Sequence, residues 1–306
     1  MQLRRAAVLL APLAALLLAA GPSTAAPPGF AFLEVPAGAR QSALGGAWAA
    51  MSAGVEAAFW NPAGLSEVKG TEITASHFEY IQSLKHDQFA MAGELFGGGL
   101  AGSIRAMYSQ PIEERDDVGN LIGTFGSHDL EFQLGYGRHV GTASVGGGLQ
   151  LVRERIANEE AMTWSGSVGG LWHPAACPSV RLGAMAQHMG PAAHYTIDGV
   201  VGDPVGLPAA LQAGAAVHHK LARGLSLDPE LDVRMTRGRQ AVVALGGELA
   251  SDVGAALRFG VREGDDLSNV SAGVGWHFGL CRVDYAWVPS KLDLGDTHRF
   301  SFGAQF

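Results

Sequence analysis

Apolar side chains alternate with small or polar ones from Thr71 to the C-terminal Phe306. In the segment 129–138, one set of alternate positions is apolar: Leu130, Phe132, Leu134 and Tyr136. The intervening positions hold Asp129, Glu131, Gln133 and two glycines. The segments 268–278 and 297–306 repeat this pattern. Successive side chains of a β-strand point to opposite faces, so the alternation predicts strands with two unlike faces.

The alternation predicts fourteen strands. They lie at about residues 71–80, 86–95, 99–108, 128–138, 142–153, 162–173, 179–188, 208–219, 225–236, 240–250, 254–262, 268–278, 281–288 and 297–306. Most are close to the roughly 9–11 residues that a tilted strand needs to cross a bilayer. The fold class is therefore all-β, and a transmembrane antiparallel β-barrel is the architecture that these lengths favour.

The connections between the strands alternate in length. Those at 109–127 and 190–206 are long, whereas those after even-numbered strands, such as Gly97-Gly98 and Gly279-Leu280, are short. An even strand count, short turns at one end and a C-terminal aromatic residue are typical of outer-membrane barrels. Phe306 is therefore a candidate barrel C-terminal signal, and the barrel-assembly machinery is an expected partner during insertion.

A soluble, secreted β-sandwich is the alternative architecture. A sandwich buries one face of each strand in a dry core, where Glu131, Asp232 and Arg234 would be costly unless they were paired. It could instead turn these side chains to solvent. It would then leave the loop alternation and the terminal phenylalanine unexplained, so the barrel is the favoured interpretation.

The first residues have the pattern of a signal peptide. Arg4 and Arg5 precede an apolar stretch, Ala6 to Ala20, and small residues follow at 23–25. An uncleaved membrane anchor is the competing interpretation, but the stretch of about 15 residues is shorter than the roughly 20 that a spanning helix needs. We therefore predict a cleaved signal peptide at 1–25 and a location in the outer membrane of a Gram-negative-type bacterium.

Residues 26–70 do not alternate, although they are rich in small apolar side chains. Asn61-Pro62, followed by Gly64, is a turn signal within this segment. An apolar segment that is neither strand nor linker must be buried somewhere, and a fourteen-stranded lumen can hold a plug. The sequence thus predicts an N-terminal hatch at 26–70 and an outer-membrane β-barrel at 71–306.

Several blocks of this chain resemble a known family. Gly38-Ala39-Arg40, the run 43–47 and the run 57–65 resemble the N-terminal signature of the PorV/PorQ family, which is related to the FadL-type long-chain fatty acid transporters of outer membranes. The stretches 284–289 and 294–301 resemble the end of the same family. One departure is Glu56, because the family more often has an aspartate there.

The resemblance implies a fourteen-stranded barrel with a hatch in its lumen, and an Asn61-Pro62-Ala63 turn where the hatch meets the first strand. It also implies a hatch motif with a structural or gating role. Its members are Arg40, Gly45, Gly46, Phe59, Trp60, Asn61, Pro62, Ala63, Gly64 and Leu65. A structural role, such as pairing of Arg40 with a luminal carboxylate, is favoured over direct contact with a substrate.

Composition removes several classes of function. The formal net charge is −8 and no basic stripe is present, which excludes nucleic acid as an expected partner. No nucleophile elbow, H-E-x-x-H motif or P-loop occurs, so we predict neither an enzyme nor a cofactor or metal site. Weak Ca²⁺ binding by the acidic runs at 114–117 and 265–266 is less favoured than solvated charge. Cys177 and Cys281 are expected to be free thiols.

Two functions remain open at this point. The favoured one is a channel or transporter for hydrophobic or amphipathic small molecules, in which Phe59, Trp60 and Leu65 are candidate hatch residues. The alternative is a component of type IX secretion that binds and escorts secreted proteins, and a purely structural barrel is a third option. The expected partners are outer-membrane lipid and either a hydrophobic ligand or a secreted protein cargo.

Overall fold

The computed structural model describes residues 28–197, 200–222, 224–292 and 294–306. The expected signal peptide at 1–25 lies outside the described residues, so its cleavage stays a prediction. Cys177 and Cys281 are both free. Within the described part of the chain, no helix is long and apolar enough to cross a bilayer.

Fourteen antiparallel strands close into a barrel, as the sequence predicts. They are β1 (Thr71–Glu79), β2 (Lys85–Leu95), β3 (Gly98–Tyr108), β4 (Ser127–Val140), β5 (Ala143–Ile156), β6 (Glu159–Trp172), β7 (Val180–Met189), β8 (Ala210–Val217), β9 (Leu225–Thr236), β10 (Val242–Ser251), β11 (Ala255–Glu263), β12 (Val270–Phe278), β13 (Cys281–Val288) and β14 (Thr297–Gln305). Each strand pairs with the next, and β14 pairs with β1, so the barrel has no free edge.

The predicted faces of the strands are confirmed. On β4, Phe132 and Leu134 are 49% and 59% exposed, whereas Glu131 between them is 2% exposed. Large apolar side chains are exposed in the same way around the whole outer wall, for example Leu149, Trp164 and Phe259. An apolar outer wall and a polar lumen are the reverse of a soluble sandwich.

The two ends of the barrel differ. One end, which we call the short-turn end, carries tight connections such as Phe96-Gly97 and Gly279-Leu280. The opposite, long-loop end carries two hairpins that the sequence did not predict. The first outer hairpin pairs Ile112–Arg115 with Leu121–Phe125, and the second pairs Ala193–Ile197 with Val200–Val205. A short strand at His219–Ala222 also lies in the β8–β9 connection.

Residues 28–70 lie inside the barrel and contain only short elements. These are the α-helix α1 (Ala39–Ala43) and 3-10 turns at Ala31–Glu34, Gly54–Phe59 and Pro62–Glu67; a further 3-10 turn, Ile81–Ser83, joins β1 to β2. Leu44, Trp48 and Leu65 are almost completely buried, in an apolar cluster that the barrel wall encloses. The apolar core of the hatch is therefore completed by side chains of the barrel wall.

Glycines on the inner wall let the hatch backbone approach the strands closely. A Cβ atom on Gly146 of β5 would lie 2.3 Å from the backbone of Pro62. A Cβ atom on Gly183 of β7 would lie 2.1 Å from the carbonyl oxygen of Ala49. Both separations are shorter than any contact a real Cβ makes, so only glycine fits. Some of the 43 glycines of the chain thus have a structural use at this contact surface.

Candidate functional site

A chain of alternating charges fixes the hatch to one side of the lumen. In order, it runs through Arg40, Glu248, Arg258, Asp284, Arg282 and Glu56. The first four pairs are separated by 2.7, 2.5, 2.7 and 2.8 Å, and Arg282 also pairs with Glu56. Arg40 and Glu56, at the two ends of this series of ion pairs, belong to the hatch. The four residues between them belong to β10, β11 and β13. Each charge in the middle has partners on both sides, which offsets the desolvation that burial imposes.

Two carboxylates of β9 hold the hatch from another side. Asp232 accepts hydrogen bonds from the backbone N–H groups of Trp48 and Ala49, at 3.0 and 2.9 Å. Glu230 accepts from the next two N–H groups, those of Ala50 and Met51, at 2.5 and 3.0 Å. Four successive backbone donors of the hatch are thereby satisfied by the carboxyl oxygens of one strand.

Asn61 caps the last 3-10 turn of the hatch and joins it to the wall. Its Oδ1 accepts from the N–H of Ala63 at 3.2 Å. Its Nδ2 donates to the carbonyl oxygens of Ala49 and Gly170, at 2.9 and 3.1 Å. The expected place of this turn, where the hatch meets the first strand, needs correction: the turn packs mainly on β3 to β6. Glycines such as Gly146 open the space for it there.

The structure gives most of the remaining hatch-motif residues structural positions. Gly45 and Gly46 have φ of 69° and 80°, in a turn that follows α1. Pro62, Ala63, Gly64 and Leu65 are buried. Arg40, besides its ion pair, lies over the ring of Trp48 at 4.8 Å. Phe306 closes the barrel, because its N–H donates to the carbonyl oxygen of Thr71 while its own carbonyl oxygen accepts from the Thr71 N–H.

Phe59 and Trp60, together with Gly45 and Gly46, line a cavity. It has a volume of about 580 Å³ and lies between the hatch and the long-loop end. Gln187 of β7 donates to the carbonyl oxygens of both residues, at 3.2 and 3.1 Å, and so fixes this floor to the wall. Phe32 and Tyr80 also line the cavity. The structure thus brings four of the predicted motif residues to a space that a small molecule can occupy.

Charged side chains also line this cavity, and the sequence did not single them out as a site. Arg234 and Arg299 reach it from β9 and β14, and Asp129 and Glu154 reach it from β4 and β5. The hydroxyl of Tyr195, in the second outer hairpin, donates to Glu154 at 2.5 Å. Burial raises the pKa of Tyr195, and this hydrogen bond raises it further, so the hydroxyl keeps its proton. The cavity is therefore amphipathic, with an aromatic floor and charged walls.

No protein-family model and no curated protein matches this sequence. Solved structures with the same fold are nevertheless found. The toluene transporter TbuX of Ralstonia pickettii is 14% identical, with a TM-score of 0.59 over 88% of this chain and 98% of that one. The toluene transporter TodX of P. putida is 12% identical, with a TM-score of 0.59 over the same shares.

A FadL homologue of Pseudomonas aeruginosa is 12% identical, with a TM-score of 0.54 over 89% of this chain and 98% of that one. Identities this low establish the fold alone. This chain therefore shares its fold with the two toluene transporters and the FadL homologue.

Proposed function

We propose that this protein is an outer-membrane channel or transporter for hydrophobic or amphipathic small molecules. The observation that carries the proposal is the cavity of about 580 Å³ above the hatch, with Phe59 and Trp60 as its floor. A concave space of this size, with apolar side chains and convergent polar groups, is the usual form of a small-molecule site. TbuX and TodX, which share the fold, are described as toluene transporters, and this supports the transport of a small molecule.

The hatch then acts as the gate on the way to the short-turn end. Phe59 and Trp60 lie between the cavity and the buried part of the hatch, so a ligand in the cavity contacts them first. Membership in the PorV/PorQ family forms part of the proposal. It is supported by the motif residues Arg40 and Asn61, which anchor the hatch to β10 and β6.

Native mass spectrometry of the full-length protein, purified in a mild detergent, tests the proposal. We expect a bound small amphiphile that survives detergent removal in the gas phase. The variant Ala244→Trp places an indole in the cavity, because Ala244 lines it, and should abolish this occupancy. The control Gly247→Trp lies on the same strand, where an added side chain meets open space, and should keep the ligand.

The possible results separate the two open functions. A ligand that is lost in Ala244→Trp and kept in Gly247→Trp supports the channel. A stoichiometric protein partner and an empty cavity would favour the type IX secretion component instead. A barrel that carries neither and takes up no added amphiphile would contradict the proposed transport function.

A further inference from the structure

We propose that the ligand of this cavity is a zwitterionic amphiphile, whose cationic group binds an acidic wall on β4 and β5 and whose anionic group binds a cationic wall on β9, β11 and β14. The inference rests on the proposed function, since it names the class of molecule that the same cavity takes.

The acidic wall consists of Asp129 and Glu154. They are directly paired across β4 and β5, and both line the cavity. Neither has a lysine or arginine within salt-bridge distance among the residues that the structure describes. Oδ1 of Asp129 is buried without a hydrogen-bond partner. Like charges directly opposite each other in a sheet repel, and a cationic group bound between them would remove that repulsion.

The cationic wall contains guanidinium groups that meet mainly neutral oxygens. Arg299 is only 2% exposed, and it donates to the Pro36 carbonyl oxygen and the Ser42 hydroxyl at 3.0 and 2.8 Å. Arg234 donates to the side-chain oxygens of Gln187 and Gln212, at 3.0 and 3.1 Å. In the described ranges, neither has a carboxylate within salt-bridge distance. A buried charge without a counter-charge is costly, and an anionic ligand group would supply the missing partner.

Arg262 of β11 extends the cationic wall. Its Nη1 pairs with Asp265 at 3.2 Å, but its Nε is buried and has no hydrogen-bond partner. In a closed ring of fourteen strands, β11 is seven positions from β4, so Arg262 and Asp129 lie on opposite sides of the lumen. Both residues line the cavity, so a ligand in it lies between walls of opposite charge.

The separation of charge also argues against other ligand classes. A neutral hydrocarbon would displace water from both walls without forming hydrogen bonds or ion pairs with the charged side chains, which is unfavourable. A ligand with only one charge would compensate one wall and desolvate the other. The apolar chain of a zwitterionic amphiphile, in contrast, can lie on the aromatic floor of Phe59 and Trp60 while its head group lies between the charged walls.

Four probes that share an octyl chain test the inference: octylphosphocholine, octanoate, octyltrimethylammonium and octanol. Binding to the full-length barrel in amphipol is measured by isothermal titration calorimetry, with each probe below its critical micelle concentration. We expect octylphosphocholine to bind about tenfold more tightly than each of the others, since one hydrogen bond to a charged group is enough for a factor of this size.

Two nearly isosteric changes, one in each wall, should show how much each wall contributes to the preference for octylphosphocholine. The double change Asp129→Asn with Glu154→Gln should weaken octylphosphocholine about tenfold and leave octanoate unchanged, because only the cationic group loses its partner. Arg234→Gln should weaken octylphosphocholine and octanoate alike and leave octyltrimethylammonium unchanged. Asp116→Asn, in the first outer hairpin, is the control and should change none of the four affinities.

The outcomes also separate this inference from the proposed function. Equal binding of all four probes, or octanoate binding as tightly as octylphosphocholine, would overturn the zwitterion inference and leave an amphiphile channel standing. Binding of none of the probes would overturn both. If the wild-type protein prefers octylphosphocholine and the wall variants keep that preference, the assignment of the binding site to these residues is wrong.

Discussion

The inner-wall glycines determine how closely the hatch backbone can approach the barrel. Gly146 and Gly183 contact the hatch through Cα atoms alone, and the opposing atoms belong to backbone and not to flexible side chains. Backbone cannot move aside as a side-chain end can. The cost of a methyl group at these positions must therefore be met by a shift of the hatch or of the strand.

Gly146→Ala should displace the Asn61-Pro62 turn and destabilise the folded protein by about 1–3 kcal/mol, which is the usual cost of overpacking a filled interior. The adjacent Gly147→Ala is the matched control, because its Cβ would meet its nearest neighbour at an ordinary 3.5 Å. Urea titration followed by tryptophan fluorescence compares the two. Equal stability of the two variants would mean that the turn does not press on β5.

Arg40 offers a way to loosen the hatch without leaving a barrel charge unpaired. When Arg40→Gln removes the hatch guanidinium, Glu248 keeps its ion pair with Arg258 at 2.5 Å. The loss of one charge-assisted contact, about 1.5–3 kcal/mol, should speed hydrogen exchange of the hatch amides at 48–51 at least tenfold. Arg115→Gln in the first outer hairpin is the control and should leave their exchange unchanged. Identical exchange in both variants would show that the ion pair does not hold the hatch.

At the scale of elements, the sequence predicts the strands and their faces because alternation is a local property. Alternation does not predict the first outer hairpin, because Ile112, Leu121 and Ile122 are exposed and their strands have no buried face. The place of the Asn61 turn depends on contacts far along the chain, such as that with Gly170. Alternation puts Asp129 and Arg234 on the inner face. Both residues line the cavity because of their position along the barrel axis relative to the hatch. That position is known only once the barrel is assembled.

The two outer hairpins should differ in their importance for the hatch. The second one contacts the first described residues: Phe30 stacks on Tyr195 at 6.5 Å, and the N–H of Gly29 donates to the Gly206 carbonyl at 3.1 Å. Replacing residues 192–206 by a short glycine linker should therefore free Phe30 and Phe32, which are buried, for cleavage by chymotrypsin. The same replacement of residues 111–125 should leave them protected. Mass spectrometry of the fragments identifies the cleavage sites, and early cleavage in both variants would contradict the assigned contact.

At the scale of the whole molecule, the apolar outer wall and the closed ring of hydrogen bonds describe a protein whose solvent is a bilayer. In hydrocarbon, every backbone polar group must be paired within the protein, and a barrel achieves this only by closing. The pairing of β14 with β1 meets that requirement. Exposed apolar side chains, which would promote aggregation in water, are then the contact surface for lipid acyl chains.

Two exposed leucines separate this description from that of a water-soluble barrel. Leu149 is 67% exposed in the middle of β5, and Leu121 is 57% exposed in the first outer hairpin, beyond the barrel wall. If acyl chains cover β5, Leu149→Arg must bring a charge into hydrocarbon, and its folding free energy in phospholipid vesicles should fall by about 2–4 kcal/mol. Leu121→Arg stays in water and should change that free energy by less than about 0.5 kcal/mol. Urea titration of refolding into vesicles gives both values. Because the two leucines are similarly exposed, only the medium around them can produce a difference, and equal small effects would place the outer wall in water.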